Sequence, residues 1–361
     1  MGAQEKTDGR SVTLAVLIFA AAFVATAAML HACLRNSLRL HADVRSEKLA
    51  IMDQWQGKAY SASFGSSHVH YGFDPRTFDK ELAGTPAQTR SINLGMAGGS
   101  QTEQRVTALE FVQHMQAPPA GAGPGAAKAC LLVLELEAGA NFTTEHLVHP
   151  RAINIYDWQT MQFVIALAPR NLGLARRLGR IGFAAIAMVM HHLNVGMLSS
   201  EIFSPPLNQG LVLRDTAGDR RGVLTLPSGD QYIKLIQPMI DASPKQRTTA
   251  PGELVPGNTD LIDELEQASP VDNLQFVYLV LPRIDNLGHY EVFPDSLNTH
   301  DRTVPIINLG RPDRFPELYQ AKYWFDDSHL NGEGAAVATR LAARDLKSFY
   351  KEHGAPPRCG E

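Results

Sequence analysis

The pattern of apolar and polar positions divides the chain into an apolar N-terminal segment and a longer part in which short strands alternate with helices. The nineteen residues from Val12 to Leu30 carry no charge and are rich in Ala, Val, Leu, Ile and Phe. This segment is long enough to cross a hydrocarbon core of ~30 Å as a helix. It exceeds the roughly 7 to 15 apolar residues of a cleaved signal peptide, so we expect an uncleaved membrane anchor.

Two properties of this anchor stay open in the sequence. Leu30-His31-Ala32-Cys33 partly resembles the cleavage box of a lipoprotein, which leaves a lipid-anchored form as an alternative. The basic residues that follow the segment are Arg35, Arg39, Arg45 and Lys48. By the positive-inside rule they would keep the C-terminal part in the cytoplasm, but long domains often translocate regardless of flanking charge. We expect the C-terminal part to lie outside.

The hydrophobic pattern beyond the anchor predicts an α/β domain. Residues 34–57 are polar and tolerate a helix, which is typical of a stalk between an anchor at 12–33 and a folded unit. Short apolar runs predict strands at 58–64, 89–94, 129–136, 274–281 and 304–309. Amphipathic segments between them, such as 101–115, predict helices. Such alternation favours a mainly parallel sheet with helices on its faces.

Residues 150–270 are less regular, and we interpret them as a helical insertion in a domain that spans 58–352. Helices are predicted at 157–168 and 172–198 and a long loop at 243–258. The second helix contains an uncharged run that His191, His192 and Asn194 interrupt. Because polar groups are costly at membrane depth, a buried or interfacial amphipathic helix is favoured over a second span. A helix from Asn331 to about Lys351 closes the domain, and 1–11 and 353–361 are short tails.

Composition excludes several classes of function. The net charge is −4 and the 33 Lys and Arg residues are scattered, so no basic tract could follow a phosphate backbone and nucleic acid is not expected as a partner. The cysteines, Cys33, Cys130 and Cys359, are too far apart in sequence to make a disulfide framework or a zinc site by themselves.

Histidine spacing does not complete a metal site either. On a strand His68 and His70 would share one face, but a third ligand is missing, and His191 and His192 diverge on a helix. We therefore expect neither a metal nor another cofactor.

Four polar blocks follow predicted strands or precede the last helix, and the carboxyl ends of parallel strands share one edge of a sheet. The blocks are Gly65 to His68, Asn93 to Gly99, Gly139 to Phe142 and Asp326 to Asn331. An acid three residues before a His can hold one ring nitrogen while the other acts as a general base. A Ser at a strand end becomes a nucleophile once such a base takes its proton. Each block also has an ordinary interpretation as a turn or a helix cap.

In chain order these blocks resemble the SGNH branch of the GDSL-type esterases and acyltransferases, which is named for a Ser, a Gly, an Asn and a His in four separate blocks. The resemblance implies that Ser67 is the nucleophile, that His329 is its base and that Asp326 orients the base. It also implies an oxyanion hole formed by the backbone N–H groups of Ser67 and Gly98 and the side chain of Asn141. The fold that it implies is a three-layer α/β sandwich.

Two positions depart from the family pattern: Ser66 and Phe142 stand where the family usually has Asp. Gly-Ser-Ser variants resemble the branch that includes membrane-anchored D-alanine-transfer proteins and alginate O-acetylation proteins. This resemblance implies a serine acyl-ester hydrolase or O-acyltransferase in a bacterial inner membrane, with a single span and a periplasmic catalytic domain. Its substrates would be acyl esters, above all acetyl groups of cell-envelope or exported polysaccharide, and its partners would be envelope polysaccharide machinery.

Two other functions remain open at this point. The domain could be a catalytically silent SGNH-like module that binds polysaccharide or a partner in an envelope assembly. It could also be a lipase or thioesterase that acts at the membrane. No residue in the sequence identifies a sugar, so the substrate class follows from the resemblance alone.

Overall fold

The computed structural model describes residues 9–34, 44–116, 129–137, 155–167, 173–192, 221–222, 225–242, 248–269, 274–299 and 302–354. Its strands are β1 Ser61–Phe64, β2 Ser91–Asn93, β3 Leu131–Glu135, β4 Thr248–Pro251, β5 Gln275–Val280, β6 His289–Val292, β7 Ser296–Asn298 and β8 Thr303–Asn308. A six-stranded sheet has the order β2-β1-β3-β5-β8-β7, and β4 and β6 form a separate parallel pair. All neighbours in the large sheet are parallel except β7, which is antiparallel to β8. The prediction of an α/β fold with a mainly parallel sheet is confirmed.

The helices are α1 Gly9–Leu34, α2 Val44–Trp55, α3 Ser67–Gly72, α4 Pro75–Leu82, α5 Gln101–Gln116, α6 Trp158–Ala166, α7 Leu174–His192, α8 Asp230–Ala242, α9 Pro256–Ala268 and α10 Gly332–His353. Two 3₁₀ turns, Pro316–Leu318 and Ala321–Tyr323, precede α10.

The large sheet is buried on both faces. Successive side chains of a strand point to opposite faces, and in β3 Leu132 and Leu134 join one apolar cluster while Leu131 and Val133 join another. Side chains of α2, α5 and α9 complete the first cluster. Side chains of α4 and α10 complete the second. The continuous apolar run of β3 reflects this double burial.

Helix α1 extends away from these clusters. Its large apolar side chains are exposed from Val12 to Met29. Among the described residues, Val12–Leu30 is the one helical stretch that is long and apolar enough to cross a membrane. This finding agrees with a single-pass anchor and leaves its orientation undetermined.

The stalk predicted at 34–57 is wrong over its second half. Helix α2 lies within this range, and its Ile51, Met52 and Trp55 are buried in the core beside β2. Lys48 is buried as well, and its ammonium group donates to the backbone carbonyls of Asn93 and Gly222. The polar composition of the segment concealed this contact because its apolar residues occupy only one side of the helix. The folded domain therefore begins at or before residue 44.

The helices predicted at 157–168 and 172–198 correspond to α6 and α7, and residues 193–198 lie outside the described part of the chain. The loop predicted at 243–258 is wrong in part, because β4 and the start of α9 lie inside it. Pro256 stands at the first position of α9, where a helix needs no N–H from it. The side chain of Asn258 accepts a hydrogen bond from the Val255 amide (2.9 Å) and fixes this helix start.

Candidate active site

A cavity of about 460 Å³ opens at the carboxyl ends of the parallel strands. Residues that follow four strands line it: Ser67 after β1, Gly98 after β2, Glu137 after β3 and Arg283 after β5. In sheets of this kind ligands bind at this edge because the connections to the helices diverge there. Three of the four polar blocks identified in the sequence can be located in the structure, and all three lie at this edge.

Ser67 is placed by the turn between β1 and α3. Ser66 caps α3 with its hydroxyl, which accepts a hydrogen bond from the His68 amide (3.2 Å). Ser67 is therefore the first residue of the helix, directly beyond the strand end. A Cβ atom at Gly65 would overlap the Glu135 carboxylate and come within 2.7 Å of Val69. Only glycine fits where the turn packs this closely.

Asn93 holds α3 against the end of β2. Its side-chain amide donates to the carbonyls of Val69 (2.7 Å) and Phe73 (2.8 Å), and its Oδ1 accepts from the Gly95 amide (2.9 Å). A Cβ atom at Gly95 would lie 2.7 Å from the His70 amide nitrogen. These two residues of the second block thus serve to position the helix that begins with Ser67.

His329 and Asp326 lie in a tight loop before α10. Trp324 and Leu330 pair across the loop as an isolated β-bridge, and Asn331 caps α10 by accepting from the amides of Glu333 and Gly334. Asp326 Oδ1 accepts hydrogen bonds from the amide of His329 (2.7 Å). The Asn331 cap and the bridge between Trp324 and Leu330 fix the ends of the loop. The loop therefore holds the His329 imidazole in one position.

Ser67, His329 and Asp326 form one hydrogen-bonded chain. His329 Nε2 lies 2.8 Å from Ser67 Oγ, although the two residues are 262 positions apart. His329 Nδ1 lies 2.9 Å from both carboxylate oxygens of Asp326. The network assigns the proton to Nδ1, because a carboxylate can only accept. Nε2 is then free to accept the proton of the Ser67 hydroxyl, which is the geometry of an activated nucleophile.

The Asp326 carboxyl stays ionised in this arrangement. Burial alone would raise its pKa, but the hydrogen bonds from the His329 ring and the Ser328 amide outweigh this effect and lower the pKa of Asp326 to about 2. Near neutral pH the carboxylate therefore carries its charge beside the imidazole and stabilises an imidazolium at His329.

Two rings from α3 surround the imidazole of His329. The His68 ring stacks on it with centroids 5.5 Å apart and planes at 23°. The Tyr71 ring meets it edge-on at 5.4 Å. One short helix thus supplies both Ser67 and two side chains that limit the movement of the His329 ring.

Glu135, at the end of β3, belongs to the site and was missed in the sequence. Its carboxylate accepts from the Ser66 amide and from the Ser66 hydroxyl (3.0 Å), and it lies 3.3 Å from His68 Nδ1. Burial lowers the pKa of His68, but the bond to Glu135 and its charge outweigh burial, so the net pKa is raised. A Glu that directly follows the apolar run 131–134 was the available signal, because buried carboxylates are rare.

Glu137 gives the cavity a second carboxyl group. Burial and the nearby charge of Glu135 raise the pKa of Glu137 to about 7, while His68 and Arg283 act in the opposite direction. Arg283 in turn pairs with Asp285, with its Nε 2.9 Å from Asp285 Oδ1. The cavity next to Ser67 is therefore polar and charged.

Of the proposed oxyanion residues, the structure places Ser67 and Gly98 along the same cavity. Gly98 has a φ of 62°, a left-handed conformation that glycine adopts without strain. Asn141 and Phe142 lie outside the described residues, so the third block has no observed position.

The histidines that the sequence considered for a metal site have other partners. His68 and His70 lie on α3 rather than on a strand. His70 Nδ1 bonds to the Gly95 carbonyl (3.0 Å), and burial together with the charge of Lys48 holds the pKa of His70 well below its usual value. Within the described ranges, no group of three or more His, Cys, Asp or Glu side chains is placed to hold a metal ion. His191 and His192 end α7, and their side chains are not among those that the structure describes.

No protein-family model matches this chain, and no curated protein is similar enough to indicate a relative.

Proposed function

We propose that this chain is a membrane-anchored serine acyl-ester hydrolase or O-acyltransferase of the SGNH type. Ser67 is the nucleophile, His329 the general base and Asp326 the residue that orients the base. The acyl group is an acetyl group of cell-envelope or exported polysaccharide, and the acceptor is water or a sugar hydroxyl. The observation that carries the proposal is the 2.8 Å contact between Ser67 Oγ and His329 Nε2, with Asp326 on the far side of the ring.

The first half of the reaction transfers the acyl group to the enzyme. His329 Nε2 takes the hydroxyl proton while Ser67 Oγ attacks the carbonyl carbon of the ester. The negative charge that develops on the carbonyl oxygen is stabilised by the N–H groups of Ser67 and Gly98 and by the side chain of Asn141. When the tetrahedral intermediate collapses, the ester C–O bond breaks and the imidazolium returns its proton to the leaving alcohol.

The second half releases the acyl group. His329 Nε2 takes a proton from water or from an acceptor hydroxyl, which then attacks the carbonyl of the Ser67 ester. Collapse of the second intermediate breaks the bond to Ser67 Oγ, and the proton on His329 returns to the serine. Loss of one oxyanion donor would cost about 2.7 to 4 kcal/mol of transition-state stabilisation.

The architecture supports membership of the SGNH type. Helices cover both faces of a mainly parallel sheet, which fits the three-layer sandwich of that family. The nucleophile follows β1 and the His–Asp pair directly precedes the last helix, in the chain order that the resemblance implies. The helices between 155 and 269 fit an insertion into this sandwich.

The location that we propose is a bacterial inner membrane, with a single span and a periplasmic domain. Helix α1 fits the span, since Val12–Leu30 is exposed and apolar. The outward orientation is part of this proposal, since long domains often translocate regardless of flanking charge.

The test is hydrolysis of p-nitrophenyl acetate by the full-length protein and by Ser67→Ala. We expect turnover by the wild type and a loss on the order of 10⁶-fold in kcat for the variant, as for removal of a triad serine elsewhere. Ser348→Ala is the matched control, because Ser348 is exposed on α10 and bonds only to the Arg344 carbonyl. It should retain wild-type activity.

Three other results would redirect the assignment. A wild-type protein without turnover of any acyl ester would support a catalytically silent binding module. Faster cleavage of long acyl chains than of acetyl would support a lipase or thioesterase. Turnover that survives Ser67→Ala unchanged would remove Ser67 from the mechanism.

A further inference from the structure

Helix α7 carries an apolar stripe on its solvent side. Leu174, Leu178, Ile181 and Val189 recur at intervals that bring them to one face of a helix. The exposed fractions are 74 % for Leu174, 59 % for Leu178, 41 % for Ile181 and 53 % for Val189. Removing such side chains from water is favourable, so water is an unfavourable environment for this face.

The opposite face of α7 is already occupied. Ala184 and Ala187 are fully buried against Tyr156, Met161 and Val164 at and before helix α6. The apolar stripe therefore cannot turn inward to join this small cluster. It needs a partner from outside the domain.

A basic residue beside the apolar stripe gives α7 part of the charge pattern of a helix that lies on a membrane. At ~100° per residue, Arg177 lies about 40° around the helix from Ile181, at the border of the stripe. Arg176 and Arg180 lie on the side that carries Ala184 and Ala187, away from the stripe. A cation that borders an apolar face is typical of helices in the membrane interface, where it attracts anionic headgroups.

The anchor holds the domain close to a bilayer. Nine residues, 35–43, connect α1 to α2, and an extended chain spans at most about 3.6 Å per residue. The domain therefore begins within roughly 30 Å of the end of the membrane span. A lipid surface is thus always present close to the domain that carries α7, whereas a protein partner would have to be supplied.

We propose that α7 docks on the surface of the membrane in which α1 is anchored. Leu174, Leu178, Ile181 and Val189 enter the boundary between headgroups and acyl chains, and Arg177 at the border of the stripe lies near anionic headgroups. The helix lies on the bilayer and does not cross it, since Val12–Leu30 is the one spanning candidate in the described part of the chain. This second attachment fixes how the cavity with Ser67 faces the membrane, and it does not depend on the catalytic assignment.

Tryptophan fluorescence of the full-length protein in bilayers tests this docking. The parent is Trp158→Phe, because Trp158 is exposed whereas Trp55 and Trp324 are buried and supply a constant background. Leu178→Trp places a probe on the apolar stripe, and Arg176→Trp is the matched control on the other side. Quenching by phospholipids with brominated acyl chains and by aqueous iodide is measured for both.

Quenching by each reagent is taken as the increase over the Trp158→Phe parent. We expect quenching by brominated lipid to be at least threefold stronger for Leu178→Trp than for Arg176→Trp. We expect iodide to quench Arg176→Trp more strongly than Leu178→Trp. We also expect weaker bromolipid quenching of Leu178→Trp in purely zwitterionic bilayers than in bilayers with phosphatidylglycerol. Equal quenching of the two probes would overturn the proposal. A probe at 178 that neither reagent quenches would overturn it as well, because protein would then cover the stripe.

Discussion

The carboxylate of Asp326 decides which nitrogen of His329 carries a proton. With both oxygens 2.9 Å from Nδ1, it can only accept, so the ring must present Nε2 as the base. In Asp326→Asn the amide can donate to Nδ1 and favour the tautomer with the proton on Nε2. We expect kcat for p-nitrophenyl acetate to fall roughly 10⁴-fold, as in a serine protease with this change.

Asp241→Asn serves as the control for this substitution, because Asp241 is exposed on α8 and bonds to Gln237. Circular dichroism melts of both variants would show whether the fold is intact. If Asp326→Asn kept more than about a tenth of wild-type kcat while folded, the orienting role of Asp326 would be wrong.

Glu137 makes the stability of the domain depend on pH. The pKa of its carboxyl is raised from 4.5 to about 7 in the folded protein, so the folded state binds this proton more tightly than the unfolded state. The protonated Glu137 carboxyl contributes its full stability at pH values below the pKa that it has in the unfolded chain. This contribution is lost as pH rises through about 7. Glu137→Gln removes this loss, so above pH 7 its Tm should exceed that of the wild type by a few degrees, at ~2–4 °C per kcal/mol.

Calorimetry at pH 4 and pH 8 measures the difference. Near pH 4 the wild-type Glu137 is protonated in both states, and the two proteins should melt at similar temperatures. Glu352→Gln, at an exposed position near the end of α10, should show no such dependence. A Tm of Glu137→Gln that falls below that of the wild type at pH 8 would mean that the charged carboxylate is stabilising.

At the scale of elements, the apolar and periodic segments were predictable and the short polar ones were not. The helices at 101–116 and 332–353 and the five main strands follow from local periodicity and apolar runs, with ends shifted by up to three residues. The strands β6 and β7 are as short as β1 and β2, but most of their side chains are partly exposed, so no apolar run marks them. Their existence depends on pairing with β4 and β8, which lie elsewhere in the chain.

Helix α2 shows why a polar segment can still belong to a core. Its three buried apolar residues are diluted by charged neighbours, and Lys48 becomes buried only because two backbone carbonyls lie within reach. The carbonyl of Gly222 comes from a position 174 residues away. The local sequence does not indicate that contact. The polar composition of residues 34–57 therefore predicted a stalk.

At the scale of the molecule, the sequence could predict which residues meet at the site but only part of what supports them. Parallel strands bring their carboxyl ends to one edge, so blocks that follow strands are expected to converge there. Ser67 and His329 are in fact in contact. Glu135 also ends a strand, but its contacts with Ser66 and His68 depend on the pairing of β1 with β3, which the local sequence does not specify.

The boundary of the folded unit gives the last prediction, which uses two deletions. A variant that lacks residues 1–34 removes the apolar span but keeps α2, and we expect it to fold without a membrane and to retain esterase turnover. A variant that lacks residues 1–57 also loses the buried Ile51, Met52 and Trp55, at about 1.5–3 kcal/mol each. That sum of roughly 5–9 kcal/mol is comparable to the whole stability of a typical domain, so this variant should show no cooperative melt by circular dichroism and no turnover. If both variants melted at the same temperature, α2 would be an appendage, and the domain would begin near residue 58 as the sequence first indicated.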